Sequence, residues 1–245
     1  MTKPPVLILG ARSDIGKAVA HKFAVLGHPI QLAARHASTL EPDKTDMELR
    51  YEVSVSLHEF DALATDSHEA FVAELPEPPR IAVCAVGLMG QQAESERDVA
   101  SAARVMRSNY EGPVSILAVL ANRFEERGSG TIVGISSVAG VRGRATNYVY
   151  GSAKAGFTAF LSGLRNRLSK RGVHVVTVLP GFVATQMTEG MDLPAKLTAE
   201  PSEIADAIAR AVERKKDVIY VRPIWRLIML IIRNIPERIF KEIRI

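Results

Sequence analysis

The sequence has few of the features that mark secreted, metal-binding or membrane-spanning proteins. One cysteine, Cys84, in 245 residues excludes an internal disulfide and is typical of a reducing compartment. No apolar run is longer than that at residues 227–232, which is far shorter than the roughly 20 residues that cross a bilayer as a helix. The six histidines show no ligand spacing with cysteine or acidic clusters, so we expect no metal site.

The sequence also disfavours a secreted protein and a nucleic-acid-binding protein. The apolar run at Val6–Leu9 is too short for the core of a signal peptide, so we expect a cytoplasmic protein. Aromatic residues make up only 6% of the chain and are not interleaved with basic ones, which argues against a nucleic-acid partner. Because 47% of the residues are hydrophobic, a chain of this length can form its own core.

Short β-branched runs alternate with longer helical segments along most of the chain. Strands separated by helices imply βαβ crossovers and a parallel sheet. We therefore predict a single-domain α/β fold over residues 1–221, a Rossmann-type doubly wound parallel sheet of about seven strands. The predicted strands are 6–9, 30–34, 49–54, 81–85, 131–136, 173–179 and 218–221, and the predicted helices include 15–26, 59–75, 109–127, 148–170 and 202–214.

A glycine-containing loop follows the first predicted strand and opens the first predicted helix. In such a loop the first glycine permits a tight turn, the last permits close helix–strand packing, and free N–H groups at the helix start bind a pyrophosphate. An ordinary strand–helix turn would carry the same two glycines, so both interpretations stay open. Asp14 stands where many such loops have glycine, and its charge needs a nearby cation such as Arg12. The candidate cofactor residues here are Gly10, Arg12, Ser13, Asp14, Ile15 and Gly16.

The end of the second predicted strand indicates which dinucleotide is bound. NAD-specific folds place an Asp or Glu at this point to hold the ribose hydroxyls. This chain has Arg35 instead and no acid before Glu41. Together, Arg35 and Arg12 can bind a 2′-phosphate through charge-assisted hydrogen bonds. We predict NADP(H) in preference to NAD(H); the alternative is that both arginines are solvated loop residues.

Four polar side chains form a candidate catalytic set. Tyr150 and Lys154 are four positions apart and therefore share a helix face. Ser137 ends a predicted strand, and Asn109 opens a predicted helix. The segment 180–185 follows another predicted strand. Ligands of open α/β sheets bind at the carboxyl ends of the strands, so these groups are predicted to share one site.

The order and spacing of these motifs resemble the short-chain dehydrogenase/reductase family over residues 6 to 221. The resemblance implies that Tyr150 is the acid/base, that Ser137 polarises a carbonyl, that Lys154 binds the cofactor ribose, and that Asn109 anchors a proton-relay water. Hydride would reach the carbonyl carbon while Tyr150 protonates its oxygen. A neighbouring ammonium should lower the pKa of Tyr150 from its ordinary value of about 10. Family members are commonly homodimers or tetramers, through helices at 109–127 and 148–170.

The resemblance also implies further cofactor contacts. Glu52 and Val53 occupy the position of an adenine-binding Asp-Val pair. Gly87 is the last glycine of a family Asn-Asn-Ala-Gly run that this chain otherwise replaces with Cys84-Ala85-Val86. The segment that contacts the nicotinamide corresponds to Pro180, Gly181, Val183 and Thr185.

The C-terminal segment, residues 222–245, carries the net charge of the protein. It holds six Arg or Lys against two Glu, a net of +4 that equals the formal charge of the whole chain. Its apolar residues, which include Trp225, are interspersed with arginines, as in an interfacial amphipathic segment. Pro236 is expected to separate two short helices. We predict an amphipathic basic tail. One interpretation is that the tail packs on the body or on a second subunit. The other is that it contacts the inner face of the membrane or forms a wall of the binding site for a lipidic substrate.

The tail and the glycine loop together resemble the subgroup that contains the reductase of decaprenylphosphoryl-arabinose formation. Its members reduce a 2-keto sugar on a polyprenyl phosphate. The expected substrate is thus a small-molecule or lipid-linked carbonyl compound, and a general carbonyl or 3-oxoacyl reductase is the alternative. A lid at residues 188–201, with Met187, Met191 and Leu193, predicts an apolar pocket. A non-catalytic NADPH-binding sensor or scaffold is the alternative from another class.

Overall fold

A seven-stranded parallel sheet forms the centre of the molecule. The computed structural model describes residues 3–243, and its strands are β1 (Val6–Leu9), β2 (Ile30–Ala34), β3 (Val55–Glu59), β4 (Ile81–Cys84), β5 (Gly130–Ile135), β6 (Val173–Pro180), β7 (Phe182–Val183), β8 (Thr198–Ala199) and β9 (Val218–Val221). The order across the sheet is β3-β2-β1-β4-β5-β6-β9, and β7 and β8 form a separate pair. The order reverses beside β1, which confirms the predicted doubly wound Rossmann-type fold.

Helices cover both faces of this sheet. They are α1 (Asp14–Val25), α2 (Glu41–Tyr51), α3 (His68–Ala73), α4 (Gln92–Ser95), α5 (Val99–Met106), α6 (Gly112–Arg127), α7 (Tyr148–Leu168), α8 (Pro201–Glu213), α9 (Ile224–Asn234) and α10 (Glu237–Phe240). Helices α1, α2 and α8 pack on one face, and α3, α6 and α7 pack on the other. A π turn at Arg107–Glu111 joins α5 to α6.

Strand β1 shows why the central strands have uninterrupted apolar sequences. Val6 and Ile8 lie in the core beneath α1 and α8, whereas Leu7 and Leu9 lie in the core beneath α6 and α7. All four side chains are fully buried. A strand covered on both faces needs apolar residues at every position, so it shows no alternation.

The predicted strand at 49–54 is wrong. Helix α2 continues to Tyr51, and the third strand begins only at Val55. Met47 is the buried side chain that holds this largely polar helix on the core. A proline and two acids in its first turn, at residues 41–43, are the helix-start signal in this segment.

Two predicted helices also differ from the structure. Glu59, the first residue of the helix predicted at 59–75, ends β3, and only His68–Ala73 is α-helical there. Asn109 does not open a helix, because the chain is already helical from Val99 and Asn109 lies in the π turn. Its side chain is completely buried, which a helix-opening position on the surface would not require.

The C-terminal segment packs on the body at the carboxyl edge of the sheet. Trp225 and Met229 of α9 are buried in a small core with Val138 and Leu179. Pro236 separates α9 from α10, as predicted from its missing N–H group. Arg244 and Ile245 of the predicted tail lie outside the described residues.

Replacing Leu161 with alanine should lower the free energy of unfolding by about 3 kcal/mol, because it leaves a cavity in the core. Leu161 of α7 is fully buried and lies against Gly134 of β5, where an added Cβ would be 2.4 Å from its Cδ1. Urea denaturation followed by circular dichroism measures the change. Leu49→Ala is the matched control: its side chain on α2 is 78% exposed, so a change within about 0.5 kcal/mol is expected. Equal urea midpoints for the two variants would contradict this packing.

Candidate active site

Three of the predicted catalytic side chains meet at the carboxyl end of β5. Ser137 lies two residues beyond this strand, and its hydroxyl is near enough to Tyr150, in the first turn of α7, to lower the pKa of the phenol. Lys154, one turn further along α7, has its Nζ 5.8 Å from the centroid of the Tyr150 ring. Its Nζ donates a hydrogen bond to the Ile135 carbonyl at 3.0 Å. The strand end and the first two turns of one helix therefore build a single polar cluster.

Small residues allow α7 to approach the segment that follows β5. A Cβ added at Gly140 would lie 2.7 Å from the backbone N of Ala155, and one added at Gly151 would lie 2.9 Å from the Ala139 carbonyl oxygen. The Ser136 hydroxyl also donates to the Lys154 carbonyl at 3.0 Å. These backbone contacts set the distance between Ser137 and the helix.

Burial shifts the pKa values of both ionisable groups in the cluster. Desolvation lowers the pKa of Lys154 to about 8, since the side chain is almost completely buried. Desolvation likewise raises the pKa of Tyr150 to about 12, against a smaller lowering by its hydrogen bond with Ser137. Burial thus raises the pKa of Tyr150, where the sequence predicted a lowering by the lysine ammonium, and the phenol is fully protonated at neutral pH.

Asn109 connects the π turn to the segment after β4. Its Nδ2 donates to the carbonyl oxygens of Leu88 and Val105, and its Oδ1 accepts a hydrogen bond from the Leu88 N–H at 3.3 Å. A Cβ added at Gly87 would be 3.1 Å from this Oδ1 and 3.6 Å from the Lys154 Nζ. Asn109 therefore positions the segment that runs past Lys154. Its role as the anchor of a proton-relay water stays a prediction.

A cleft of about 380 Å³ opens beside this cluster, along the carboxyl ends of β1, β2 and β4. Gly10, Arg12, Ser13, Arg35 and Gly87 of the predicted cofactor residues line it. The structure therefore places both arginines of the predicted 2′-phosphate site and the first part of the glycine loop at one opening.

The glycine loop has the geometry of a tight turn into a helix. Gly10 has a φ of +82°, and a Cβ there would approach the Val86 backbone N to 2.9 Å. Ser13 caps α1: its hydroxyl accepts from the Gly16 N–H at 3.0 Å and donates to the Gly10 carbonyl at 2.8 Å. Ile15 packs on the core beneath this turn.

The carboxylate of Asp14 binds a different partner from the one expected. Its Oδ2 accepts a hydrogen bond from the backbone N–H of Gln186 at 2.8 Å, across 172 positions of sequence. Arg12 instead donates to the carbonyl of Arg35 at 3.4 Å. Asp14 therefore ties the loop to the segment after β6, rather than being neutralised by the neighbouring arginine.

The prediction that Glu52 and Val53 contact the adenine is wrong. Both residues precede β3, so they lie at the amino edge of the parallel sheet, opposite the cleft. Glu52 ends α2 with a φ of 53°. Because the true third strand ends at Glu59, it is Asp61 that lines the cleft. In the sequence, Asp61 could have been recognised as the acid that follows the mixed, half-exposed run Val55–Glu59.

Glu59 also shapes the cleft without being predicted. Its carboxylate accepts hydrogen bonds from the N–H groups of His36 and Ala37, at 2.8 Å and 2.9 Å. These bonds lower its pKa and hold the turn that follows Arg35. The Glu59 carboxylate therefore stabilises the backbone next to Arg35.

Gln186 of the segment after β6 lines this cleft, but the residues predicted to contact the nicotinamide do not. Pro180 ends β6, Val183 is buried in β7, and Gly181 lies under the indole of Trp225, where an added Cβ would be 1.9 Å from Nε1. Thr185 lines a neighbouring open groove of about 690 Å³, and the other three line neither opening. The predicted lid residues Met191 and Leu193 line the same groove, and Met187 is 44% exposed. Nicotinamide contact by these residues stays a prediction.

Comparisons with known proteins agree with this arrangement. The family model described as short chain dehydrogenase matches residues 5–195. An uncharacterised oxidoreductase of Mycobacterium tuberculosis is 39% identical over 241 residues, which cover 97% of this chain and 96% of the relative. One from Streptomyces coelicolor is 34% identical over 245 residues, covering 98% and 96%. A solved short-chain dehydrogenase from Sphingobium yanoikuyae in complex with NADPH has a TM-score of 0.81 at 25% identity, covering 96% and 97%.

The lowered pKa of Lys154 predicts that the protein becomes more stable as the pH rises from 8 to 10. In that range the unfolded chain keeps a proton on this lysine that the folded chain has lost. The free energy of unfolding should therefore rise by up to about 1.4 kcal/mol per pH unit. Urea denaturation at pH 8, 9 and 10 measures the slope. Lys154→Met should flatten it, whereas replacing the exposed Lys241 with methionine should not; equal slopes in both variants would refute a buried ammonium.

Proposed function

Because the chain belongs to the short chain dehydrogenase family and is an NAD(P)-dependent oxidoreductase, we propose that it uses NADP(H) to reduce a carbonyl compound or oxidise the corresponding alcohol. The observation that carries the proposal is the meeting of Ser137, Tyr150 and Lys154 beside a cleft with two arginines at its rim. The catalytic set predicted from sequence, including Asn109, is complete, which favours an enzyme over a non-catalytic NADPH sensor or scaffold.

The side chains divide the chemistry between them. The bound nicotinamide supplies or accepts the hydride. Tyr150, protonated at neutral pH, donates its proton to the carbonyl oxygen during reduction. Ser137, whose hydroxyl interacts with Tyr150, stabilises the negative charge that develops on that oxygen. For the reverse reaction the phenolate must form, and an ammonium at Lys154, held by the Ile135 carbonyl, favours it electrostatically.

The cleft favours a phosphorylated ribose over a free one. Arg12 and Arg35 line the same opening, and the hydrogen bond from Arg12 to the Arg35 carbonyl keeps them adjacent. Glu59, the acid at the end of β3, is engaged by two backbone N–H groups. Guanidinium groups bind phosphate by charge-assisted, often bidentate hydrogen bonds. The NADPH complex of the solved relative supports the same choice here.

The substrate that we propose is an apolar or lipid-linked carbonyl compound, such as a keto-sugar on a polyprenyl phosphate. Met191 and Leu193 line the open groove that shares Gln186 with the cofactor cleft, and Met187 is exposed near them. A general carbonyl or 3-oxoacyl reductase is the alternative. The homo-dimer or tetramer expected from the family remains a prediction; Tyr110 and Tyr148 are exposed aromatic side chains on the two helical segments expected to form it.

Replacing Tyr150 with phenylalanine should lower turnover by about 100- to 10,000-fold, because the proton donor is lost while the ring still packs. The measurement is NADPH oxidation with a panel of ketones, keto-sugars and acyl thioesters, which also ranks the substrate classes. Binding of NADPH, followed by its fluorescence, should be nearly unchanged. Tyr148→Phe removes a hydroxyl from a 45% exposed ring two positions away and should keep wild-type turnover. Full turnover by the Tyr150 variant would disprove the assignment.

Replacing Arg35 with glutamine should weaken NADPH binding by about tenfold or more and leave NADH binding nearly unchanged, because only NADPH carries the 2′-phosphate. Fluorescence titrations with both cofactors provide the test. Arg50→Gln, on the outer surface of α2, is the matched loss of a positive charge and should alter neither affinity. Equal weakening of both cofactors by Arg35→Gln would mean that Arg35 does not select the phosphate.

A further inference from the structure

Helix α9 has two apolar faces, only one of which is used in the fold. Trp225 and Met229 point into the body and are almost completely buried. Leu227, Leu230 and Ile231 lie on the opposite side and are 55%, 59% and 59% exposed. Their spacing of three and four positions places them in one stripe along the helix. Large aliphatic side chains gathered in this way mark an interaction surface more strongly than scattered ones do.

The inner face holds α9 rigidly against the catalytic half of the molecule. The Trp225 Nε1 donates to the Leu197 carbonyl at 3.0 Å, and its ring packs edge-on against Phe182 at a centroid distance of 5.3 Å. Arg142, from the segment between Ser137 and Tyr150, donates to the carbonyl oxygens of Ile232 and Ile235 at 2.7 Å and 2.6 Å. The outer stripe is therefore presented in a fixed orientation.

Arg142 also neutralises Glu237, an acidic residue near this surface. It pairs with Glu237 at 2.8 Å, and its guanidinium lies 3.6 Å from the centroid of the Phe240 ring. Within residues 3–243, by contrast, the exposed Arg226, Arg233 and Arg238 form no ion pair. The stripe is thus bordered by uncompensated guanidinium groups.

We propose that the outer face of α9, defined by Leu227, Leu230 and Ile231 with Arg226 and Arg233, docks on an anionic lipid surface. Such a surface accepts aliphatic side chains at its acyl boundary and pairs arginines with headgroup phosphates. A second copy of the chain fits less well, because a symmetric contact would bring the same arginines together. No helix in the described part of the chain has the length and hydropathy needed to cross a bilayer, so the contact is interfacial.

Docking by this face would also orient the substrate groove. Through Trp225, the helix contacts Leu197 in the segment that includes the lid residues Met191 and Leu193. The groove would then open close to the lipid from which an apolar carbonyl substrate could enter. This orientation rests on the proposed function, whereas docking itself does not.

Vesicle co-sedimentation of the full chain tests the docking. We expect binding to vesicles of phosphatidylglycerol and phosphatidylcholine, and much weaker binding to phosphatidylcholine alone. The triple variant Leu227→Ser/Leu230→Ser/Ile231→Ser should reduce affinity for the anionic vesicles at least about tenfold. The matched control, Val25→Ser/Leu49→Ser/Val99→Ser, removes three aliphatic side chains that are 59%, 78% and 84% exposed elsewhere and should bind as the wild type does.

A charge variant and two further readouts separate the competing outcomes. Arg226→Gln/Arg233→Gln should weaken anionic binding by roughly 25-fold, at about fivefold per charge, and less at high salt. NADPH oxidation with a soluble ketone should be unchanged in the triple variant, so loss of docking is distinguishable from failure of the proposed function. The proposal is overturned if wild-type protein ignores anionic vesicles or if the triple variant still binds them. It is also overturned if that variant instead dissociates an oligomer in light-scattering measurements, which would make the stripe an interface between copies.

Discussion

The burial of the Lys154 ammonium against the Ile135 carbonyl is the interaction around which the catalytic half of the molecule is arranged. A cation out of water is costly, and the lowered pKa of this lysine expresses that cost. The contact is possible only because α7 approaches the end of β5 closely, over Gly140 and Gly151. Once Lys154 is there, the helix repeat places Tyr150 one turn away and within reach of Ser137. The site therefore depends on a feature that reduces stability at neutral pH.

The parallel sheet brings this cluster next to the proposed dinucleotide cleft. Residues after β1, β2 and β4 line the cleft, and residues after β5 form the proposed catalytic cluster, because all these strands end at one edge. Asn109 joins the two parts: from the π turn it hydrogen-bonds the Leu88 backbone, beside the glycine that faces Lys154. On the far side, Asp14 accepts a hydrogen bond from the N–H of Gln186 and so links the glycine loop to the segment after β6.

The C-terminal segment belongs to this site as much as to the surface. Trp225 covers Gly181, and Arg142 fastens the end of α9 to the segment between Ser137 and Tyr150. The inner half of an amphipathic helix thereby packs on the segments that follow β5 and β6. Its outer half is left with exposed aliphatic and basic side chains.

Local patterns were sufficient for the central sheet, the glycine loop and the pairing of Tyr150 with Lys154, because each depends on neighbours within a few positions. Strands buried on both faces, such as β1, need continuous apolar sequence and were predicted correctly. The edge strand β3 is half-exposed and mixed in character, so its position was wrong, and the wrong adenine contacts at Glu52 and Val53 followed from that error. Only the tertiary structure decided three features: Asp14 binds Gln186, burial raises the pKa of Tyr150, and Trp225 and Met229 form the covered face of α9. Each of these depends on groups distant in sequence, and only the packed chain brings such groups within hydrogen-bonding distance or excludes water from them.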